Sequence, residues 1–539
     1  MGIVYAKNNK ILHKVKNKHN LQVSEIDTII MVMVSDLGTE LCYGKDLLFL
    51  VFTSPVFLFL FLPIVVILYF LMQKRYRNYF LLVASSAFYF YGEQRLILIM
   101  YGVILLNYIT ALGFAYLEKK CASDNFIQTH CMQLKKILLL LCIGVCIGLL
   151  WYFKYWQYTQ FLLGKIIAVL HIDYSLSTVD KIILPLGISF YIFHCLSYTL
   201  DVYMGKLKAE KNLVNFMTYV LMFPQLVAGP IVRYIDIQKQ FVERSVSMVG
   251  FANGIRRFCF GLAEKVIIAN TVAKVADKVF ALPTNELNIS VAWLGAICYT
   301  LQIYFDFSGY SNMAIGLAAL FGFHYKENFN YPYISKTISE FWRRWHISLS
   351  TWLRDYVYIN LGGNRVAKWH YYLNLLLVFL LSGLWHGANT TFVLWGVWYG
   401  VFIIIESIWL AKFLQGKNFI AHIYALLVII FGWVMFRADS VAYAINYWAA
   451  MLGVTGSFLY DLSSYMQKDV VVALIIGVIL SYDWRPLYKR LVLTYATKNY
   501  KVKFLSCKLG SYIIALFLFI ISVASVISSS YNPFIYFRF

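Results

Sequence analysis

The amino-acid sequence predicts an all-α integral membrane protein that crosses the bilayer many times. Of its 539 residues, 61% are hydrophobic and only 14% are charged, and the mean hydropathy is +0.67. Soluble domains do not have this composition. Apolar runs long enough for a bilayer core recur along the chain, and they predict roughly 11 transmembrane helices. Re-entrant and interfacial helices are expected to join these spans around a central cavity.

The predicted spans follow one another along most of the chain. We place them at residues 51–72, 79–91, 96–117, 137–153, 182–200, 293–305, 371–384, 391–410, 423–434, 470–480 and 512–527. The run from Phe161 to Leu170 is too short to span, and we expect it to lie in the interface or to re-enter. The stretch from Phe223 to Pro230 holds two prolines in apolar sequence, which favours a re-entrant loop lining a cavity.

The charge balance indicates the orientation of the chain in the membrane. There are 47 Lys and Arg against 26 Asp and Glu, a net charge of +21. In a soluble protein this excess would indicate nucleic-acid binding. Here it fits the enrichment of Lys and Arg in cytoplasmic loops, so we expect membrane lipids and no nucleic acid as partners. Four lysines between Lys498 and Lys508 precede the last span, which places the C-terminus outside the cytoplasm in a cytoplasmic-membrane protein.

The nine cysteines are scattered and form no CxxC pair. Most lie in apolar helices, where a free cysteine behaves as a small hydrophobic residue. We therefore expect no disulfide framework and no metal site.

Two histidines are candidates for chemistry, because an ionisable group at membrane depth is expensive and marks a functional site by default. His386 ends an apolar run and is followed by Gly387. A histidine there could act as a general base, or it could simply pack and donate to a helix carbonyl. Asn389 is a candidate to orient it. His346 is the second candidate, directly after Trp342-Arg343-Arg344-Trp345.

The segment around His346 is predicted to be an amphipathic interfacial helix, with tryptophans at headgroup level and arginines in water. Glu340 can pair with Arg343 or Arg344 on such a helix. A base in a membrane tunnel with arginines at its mouth suits acyl transfer from a thioester to a hydroxyl. Arg343, Arg344 and Arg354 are then candidates to hold the phosphates of the donor, with lipid headgroups as the alternative ligand.

A polar cluster from Asp306 to Ser311 interrupts another apolar run. It is expected either to hydrogen-bond between helices or to line the reaction cavity.

Long motifs resemble those of a known family. FWRRWHISLSTWLRDYVYINLGGNR and LWHGAN are similar to the signature of the membrane-bound O-acyltransferase (MBOAT) family. The likeness is to the branch with the membrane subunits of alginate and peptidoglycan O-acetylation, and it runs from about Val51 to Phe539. It implies the MBOAT fold, with His386 as the catalytic histidine and His346 as a second functional histidine at the same cavity.

The resemblance also divides the chain. Residues 50–530 are the transmembrane domain, and residues 1–49 are a doubtful extension before a translation start at Leu50, where related sequences begin. Residues 531–539 resemble a C-terminal acyl-transfer motif whose tyrosine, here Tyr536, accepts the acyl group outside the cytoplasm.

The implied reaction is O-acetylation of a cell-envelope or secreted polysaccharide. The donor would be acetyl-CoA, with no permanently bound cofactor, and an extracytoplasmic esterase-like partner would pass the group to the polymer. D-alanyl transfer to teichoic acid is the alternative within acyl transfer. A transporter whose histidines relay protons and a non-catalytic scaffold are the alternatives from other classes.

Overall fold

The computed structural model describes residues 51–121, 125–171, 182–454, 460–487, 500–528, 531–533 and 535. Within these residues the chain is helical and contains no β-strand. The proposed extension at residues 1–49 and the tyrosine at 536 lie outside them. The α-helices, in chain order, are α1 Leu62–Leu71, α2 Arg77–Glu93, α3 Ile97–Cys121, α4 Asn125–Leu150, α5 Trp156–Val169, α6 Ile188–Tyr203, α7 Leu213–Leu221, α8 Phe223–Leu226, α9 Tyr234–Ile237, α10 Gln240–Glu243, α11 Met248–Ala263, α12 Asn270–Phe280, α13 Ile289–Leu320, α14 Ile338–Arg344, α15 Ile347–Leu353, α16 Lys368–His386, α17 Thr390–Ile405, α18 Ala411–Leu414, α19 Asn418–Arg437, α20 Val441–Met451, α21 Lys468–Leu480 and α22 Tyr500–Ser528.

Short polar side chains begin several of these helices. Each accepts a hydrogen bond from a backbone N–H of the first turn, which otherwise lacks an intrahelical partner. The capping residues are Asn212, Ser247, Asn288, Thr337, Asn389 and Ser440.

Among the described residues, six helical stretches are long and apolar enough to cross a bilayer. They are Lys74–Cys121, His130–Ile167, Ile289–Leu320, Thr390–Leu414, Asn418–Arg437 and Leu509–Ser528. The predicted all-α, multi-pass architecture is thus confirmed, while the number of about 11 spans stays a prediction.

The run from Phe161 to Leu170 does not form a separate helix. A π-helical turn at Trp151–Tyr155 joins α4 directly to α5, so most of this run continues the helix before it. The helical stretch His130–Ile167 has 38 residues, more than the roughly 20 that cross a bilayer core. That the end of this stretch lies in the interface or re-enters stays a prediction.

A disulfide joins Cys121 and Cys131, whose Cα atoms are 6.4 Å apart, so the prediction of no disulfide was wrong for this pair. Cys121 ends α3 and Cys131 lies in the first turns of α4. The pairing of these two consecutive helices brings the cysteines together, which their sequence spacing did not indicate. The basic loop from Lys119 to Lys136 is predicted to be cytoplasmic. Reducing compartments keep such cysteine pairs as thiols, so the disulfide disagrees with that prediction.

Helices α11 and α13 pack backbone against backbone. A Cβ atom on Gly309 would lie 2.6 Å from the carbonyl oxygen of Gly261, and one on Gly316 would lie 2.7 Å from that of Gly254. Only glycine permits this approach, which is a common way to pack membrane helices. It fixes α13, and with it the polar cluster from Asp306 to Ser311, in the protein interior.

The helix break that the two prolines predict is present. α8 ends at Leu226, and the non-helical residues that follow, up to Pro230, are buried. Irregular backbone of this kind is tolerated at membrane depth where protein covers it. The backbone N–H of Ile231 donates to Ser348 Oγ at 3.0 Å, which connects the segment to the helix after His346. That the segment lines a cavity stays a prediction.

Candidate active site

His346 lies at a break between two short helices. α14 ends at Arg344 and α15 begins at Ile347, and His346 between them has φ 41° and ψ 54°. A non-glycine residue in this left-handed region is uncommon and often marks a functional site. The expected single interfacial helix is therefore interrupted at the histidine itself.

The two tryptophans of this segment do not lie at headgroup level. Trp342 and Trp345 are only 7% and 2% exposed. Trp342 packs against Trp395 and Tyr399, with ring centroids 5.5 and 5.1 Å apart. The interfacial-helix prediction was wrong because this amphipathic segment buries its aromatic residues inside the protein.

Asn328 holds the left-handed turn. Its carbonyl oxygen accepts from the N–H of Ile347 at 2.9 Å, and its Oδ1 accepts from the N–H of Ser348 at 3.1 Å. Its Oδ1 also lies 3.3 Å from His346 Nδ1, and its Nδ2 donates to Ser311 Oγ at 3.1 Å. Because Nδ2 is used as a donor, Oδ1 is the acceptor, and His346 carries its proton on Nδ1.

This arrangement leaves the lone pair of neutral His346 on Nε2. The side chain is fully buried, and Nε2 has no hydrogen-bond partner among the described residues. An unsatisfied buried nitrogen is costly, so its presence suggests a ligand site. Sequence reasoning missed Asn328, since no motif or spacing connects it with a histidine 18 residues later.

His386 is the last residue of α16, and it is buried. Its Nδ1 lies 2.7 Å from the carbonyl oxygen of Ser382, one helical turn earlier. A carbonyl oxygen only accepts hydrogen bonds, so Nδ1 donates and the lone pair of the neutral ring lies on Nε2. Trp395 and Phe436 present their rings at 5.0 and 5.5 Å. The ring therefore has a fixed tautomer and a fixed orientation, which a general base requires.

The structure brings the two histidines together around one side chain. The ring of Trp385 lies 5.9 Å from the ring of His346 and 4.9 Å from that of His386. His346 comes from the break between α14 and α15 and His386 from the end of α16, 40 residues apart in sequence. Their shared neighbourhood is the geometric basis for treating them as one site.

Asn389 does not supply the bond that orients His386. Its Oδ1 accepts from the N–H of Thr391 at 3.4 Å, and its Nδ2 donates to the carbonyl of Asp439 at 2.9 Å. It caps α17, whereas the carbonyl of Ser382 holds the histidine ring.

Two side chains from the π-turn between α4 and α5 bind the end of α16. Lys154 donates to the carbonyl of Trp385, and Tyr155 donates to the carbonyl of Leu384. These last-turn carbonyls have no intrahelical partner, so the two contacts fix the helix end that carries His386. Sequence reasoning missed both residues, although a single lysine in an apolar run was an available signal.

We expect Tyr155→Phe to slow acyl transfer by roughly 3- to 10-fold, because one hydrogen bond that positions the end of α16 is lost. The variant should keep its folding and membrane insertion, since the aromatic ring remains. Initial rates with purified protein would measure the effect. An unchanged rate would show that this contact does not position His386.

The three candidate donor-binding arginines lie in different surroundings. Arg344 pairs with Glu340 at 2.9 Å and also donates to the carbonyl of Asn330. Of the two pairings open to Glu340, the structure thus forms the one with Arg344. Arg343 is exposed. Arg354 pairs with Asp355 at 2.7 Å.

Asp355 joins Arg354 to a second ion-pair group that includes Arg233, at 2.7 Å. Burial alone would raise the pKa of Asp355, but the hydrogen bonds and charges of Arg354 and Arg233 outweigh it and hold this pKa below its ordinary value. Arg344 and Arg354 therefore belong to separate ion-pair groups, and binding of donor phosphates by these arginines stays a prediction.

The polar cluster on α13 bonds between helices, one of the two roles that its sequence suggested, and that it lines a reaction cavity stays a prediction. Asp306 forms an interhelical ion pair with Lys265 at 2.7 Å. Phe307 places its ring 4.6 Å from the ring of His346. Ser311 accepts the hydrogen bond from Asn328 that was described above. The cluster thus connects helix packing to the surroundings of His346.

The C-terminal segment returns into the protein. The N–H of Ile535 donates to Asp306 Oδ2 at 2.9 Å. Ile535 is buried, and it belongs to the same hydrophobic cluster as Trp345 and Trp395. Tyr536 follows it but lies outside the described residues, so its role stays a prediction.

Comparison with known proteins identifies the family. Residues 206–445, which include both histidines, match the sequence model of the membrane-bound O-acyltransferase family. The chain is 41% identical over 504 residues to the probable alginate O-acetylase AlgI of Pseudomonas putida, covering 91% of this chain and all of that protein. The chain belongs to the MBOAT family.

Two further relatives carry related names. The peptidoglycan O-acetyltransferase of Helicobacter pylori is 33% identical, over 77% of this chain and 82% of that protein. The teichoic acid D-alanyltransferase of Bacillus subtilis is 31% identical over 230 residues, which is 40% of this chain and 57% of that protein. This MBOAT protein is therefore an O-acyltransferase with multiple membrane passes, as the sequence predicted.

Proposed function

We propose that this O-acyltransferase moves an acetyl group from a cytoplasmic thioester donor, acetyl-CoA, to a cell-envelope or secreted polysaccharide. The observation that carries the proposal is the pair of buried histidines whose rings both lie within 6 Å of the ring of Trp385, each with its Nδ1 hydrogen-bonded. The similarity over nearly the whole chain to a protein named as an alginate O-acetylase supports both the acetyl group and the polysaccharide.

The chemistry begins with a hydroxyl that lies against His386. Nε2 of the neutral imidazole takes the hydroxyl proton while the oxygen attacks the thioester carbonyl carbon. The carbon–sulfur bond then breaks, and the thiolate leaves with the proton that the imidazolium returns. An ester forms, a free thiol departs and the histidine is neutral again. His346, which also lies beside Trp385, orients the attacking hydroxyl through its Nε2.

The first acceptor in this proposal is the hydroxyl of Tyr536. The return of the preceding residues into the protein, with Ile535 bound to Asp306, supports an approach of the tail to the histidines. The tyrosyl ester then gives its acetyl group to an extracytoplasmic esterase-like partner, which passes it to the polysaccharide. Such a relay divides transfer across the membrane into successive ester exchanges.

The relay sets an orientation in the cytoplasmic membrane. The lysines from Lys498 to Lys508, before the last predicted span, lie on the cytoplasmic side, and the tail emerges on the opposite side. Arg343, Arg344 and Arg354 would bind the phosphates of the donor, since guanidinium groups suit bidentate phosphate contacts.

D-alanyl transfer to teichoic acid is the alternative reaction, and the relative of that name aligns with only 40% of this chain. Purified protein in proteoliposomes would decide between them when it receives either acetyl-CoA labelled in the acetyl group or a D-alanyl thioester. We expect labelled acetyl to become ester-linked to the chain, and D-alanine not to. Label that stays unattached to protein and polymer, or that attaches only as D-alanine, would contradict acetyl transfer.

A further inference from the structure

The C-terminal segment is held through its backbone by a buried ion pair. Lys265 and Asp306 have side chains that are only 4% and 1% exposed, with 2.7 Å between Nζ and Oδ1. Lys265 donates to the carbonyl oxygen of Pro533, and Asp306 Oδ2 accepts from the N–H of Ile535. The pair therefore binds one acceptor and one donor of the same short stretch of backbone.

The burial of the Lys265–Asp306 ion pair is energetically costly and calls for an explanation. Taking two charges out of water costs several kcal/mol per ion, and well-packed apolar residues would often be as stable. Intramembrane ionisable groups are accordingly rare and tend to be functional. This pair is neutral as a unit, so it does not require the tail for charge compensation. It can bind peptide backbone and release it without leaving an isolated charge behind.

Side-chain hydrogen bonds add to the backbone contacts that hold the tail. Asn532 Nδ2 donates to Thr53 Oγ1 at 2.7 Å, and its Oδ1 accepts from Asn270 Nδ2 at 3.1 Å. The hydroxyl of Tyr531 donates to Asp277 at 2.5 Å. These bonds connect the tail to the first described residues of the chain and to α12.

Two small cavities, of about 20 and 30 Å³, adjoin the docked tail. One is lined by Thr53, Lys265, Tyr310 and Asn532 among others, and the second by Asn270, Tyr531 and Asn532 among others. Each has room for about one water molecule.

We propose that the Lys265–Asp306 pair is the docking site for the chain's own C-terminal segment, and that it positions the residue after Ile535 for acyl loading. Asp306 directly precedes Phe307, whose ring contacts His346. Asp306 is thus adjacent in sequence to a residue that contacts His346. The residue that Asp306 binds, Ile535, directly precedes Tyr536. The docking itself stands on the described contacts, while its part in loading rests on the proposed function.

The test replaces both charges together, as Lys265→Met with Asp306→Leu. A single replacement would leave one charge buried and alone, which destabilises the fold, whereas an apolar pair of similar volume is tolerated. Docking is measured separately from activity, by cross-linking Thr53→Cys to Asn532→Cys with a short thiol-specific reagent. The natural free cysteines among the described residues are all buried, so they contribute little background.

We expect the double variant to insert and to keep its thermal stability, but to lose cross-linking and tail acetylation by at least about tenfold each, since two hydrogen bonds to the tail are removed. Arg257→Met with Glu327→Leu removes an ion pair of more exposed groups and serves as the matched control, with cross-linking unchanged. Undiminished cross-linking in the Lys265/Asp306 variant would overturn the docking site. Lost cross-linking with normal acetylation would overturn the positioning role. If the unmodified chain cross-links but never carries acetyl, the relay fails and the docking site stands.

Discussion

His386→Ala is expected to reduce acyl transfer by roughly 10²- to 10⁴-fold, the contribution typical of a general base. Without the imidazole, no group at the end of α16 takes the proton from the attacking hydroxyl. The rest of the site should persist, because Lys154 and Tyr155 bind backbone carbonyls of α16 rather than the histidine side chain. Acetate released from isolated polysaccharide by mild base would measure the product.

His422→Ala is the matched control for this prediction. His422 also directs its Nδ1 at a backbone carbonyl, that of Ser335 at 3.2 Å, but it lies on α19. Loss of a histidine of that kind should leave acetylation close to that of the unmodified protein. If His386→Ala also stays active while the protein is inserted in normal amount, His386 is a packing residue and the proposed base is wrong.

Both histidines could be chosen as candidates from the sequence because the cost of placing an ionisable group in a membrane is a local property. The residues that position the two histidines could not be predicted. Asn328 contacts His346 across a turn, and Tyr155 reaches the carbonyl of Leu384 over 229 residues of sequence. Such contacts depend on how helices pack, and the pattern of apolar residues does not specify packing partners.

The fold shows the same division between local and long-range information. Long apolar helices were predictable because their length must match the bilayer. The left-handed turn at His346 was not, since the bonds from Asn328 that stabilise it come from outside the segment. The disulfide between Cys121 and Cys131 likewise depends on the pairing of two helices. The lengths of the apolar runs therefore predicted a helical membrane protein but missed the places where one element constrains another.

Tyr536→Phe is expected to reduce acetylation of polysaccharide by at least about 100-fold, because it removes the only atom that could carry the acetyl group in the proposed covalent step. The substitution keeps the aromatic ring, so any anchoring by that ring should be retained. The contacts of the tail with Lys265 and Asp306 involve the backbone of residues 533 and 535, and they should also persist. The variant thus distinguishes a role of Tyr536 as a nucleophile from a role as an anchor of the tail.

Mass spectrometry of the C-terminal peptide after incubation with acetyl-CoA would detect the ester directly. We expect one acetyl group on the peptide of the unmodified chain and none on that of Tyr536→Phe. Tyr482→Phe, which removes a hydroxyl from an exposed tyrosine that is not part of the tail, should acetylate as the unmodified chain does. If Tyr536→Phe supports normal acetylation of polymer, the tyrosine only anchors the tail, and the acetyl group must pass from donor to acceptor without a tyrosyl ester.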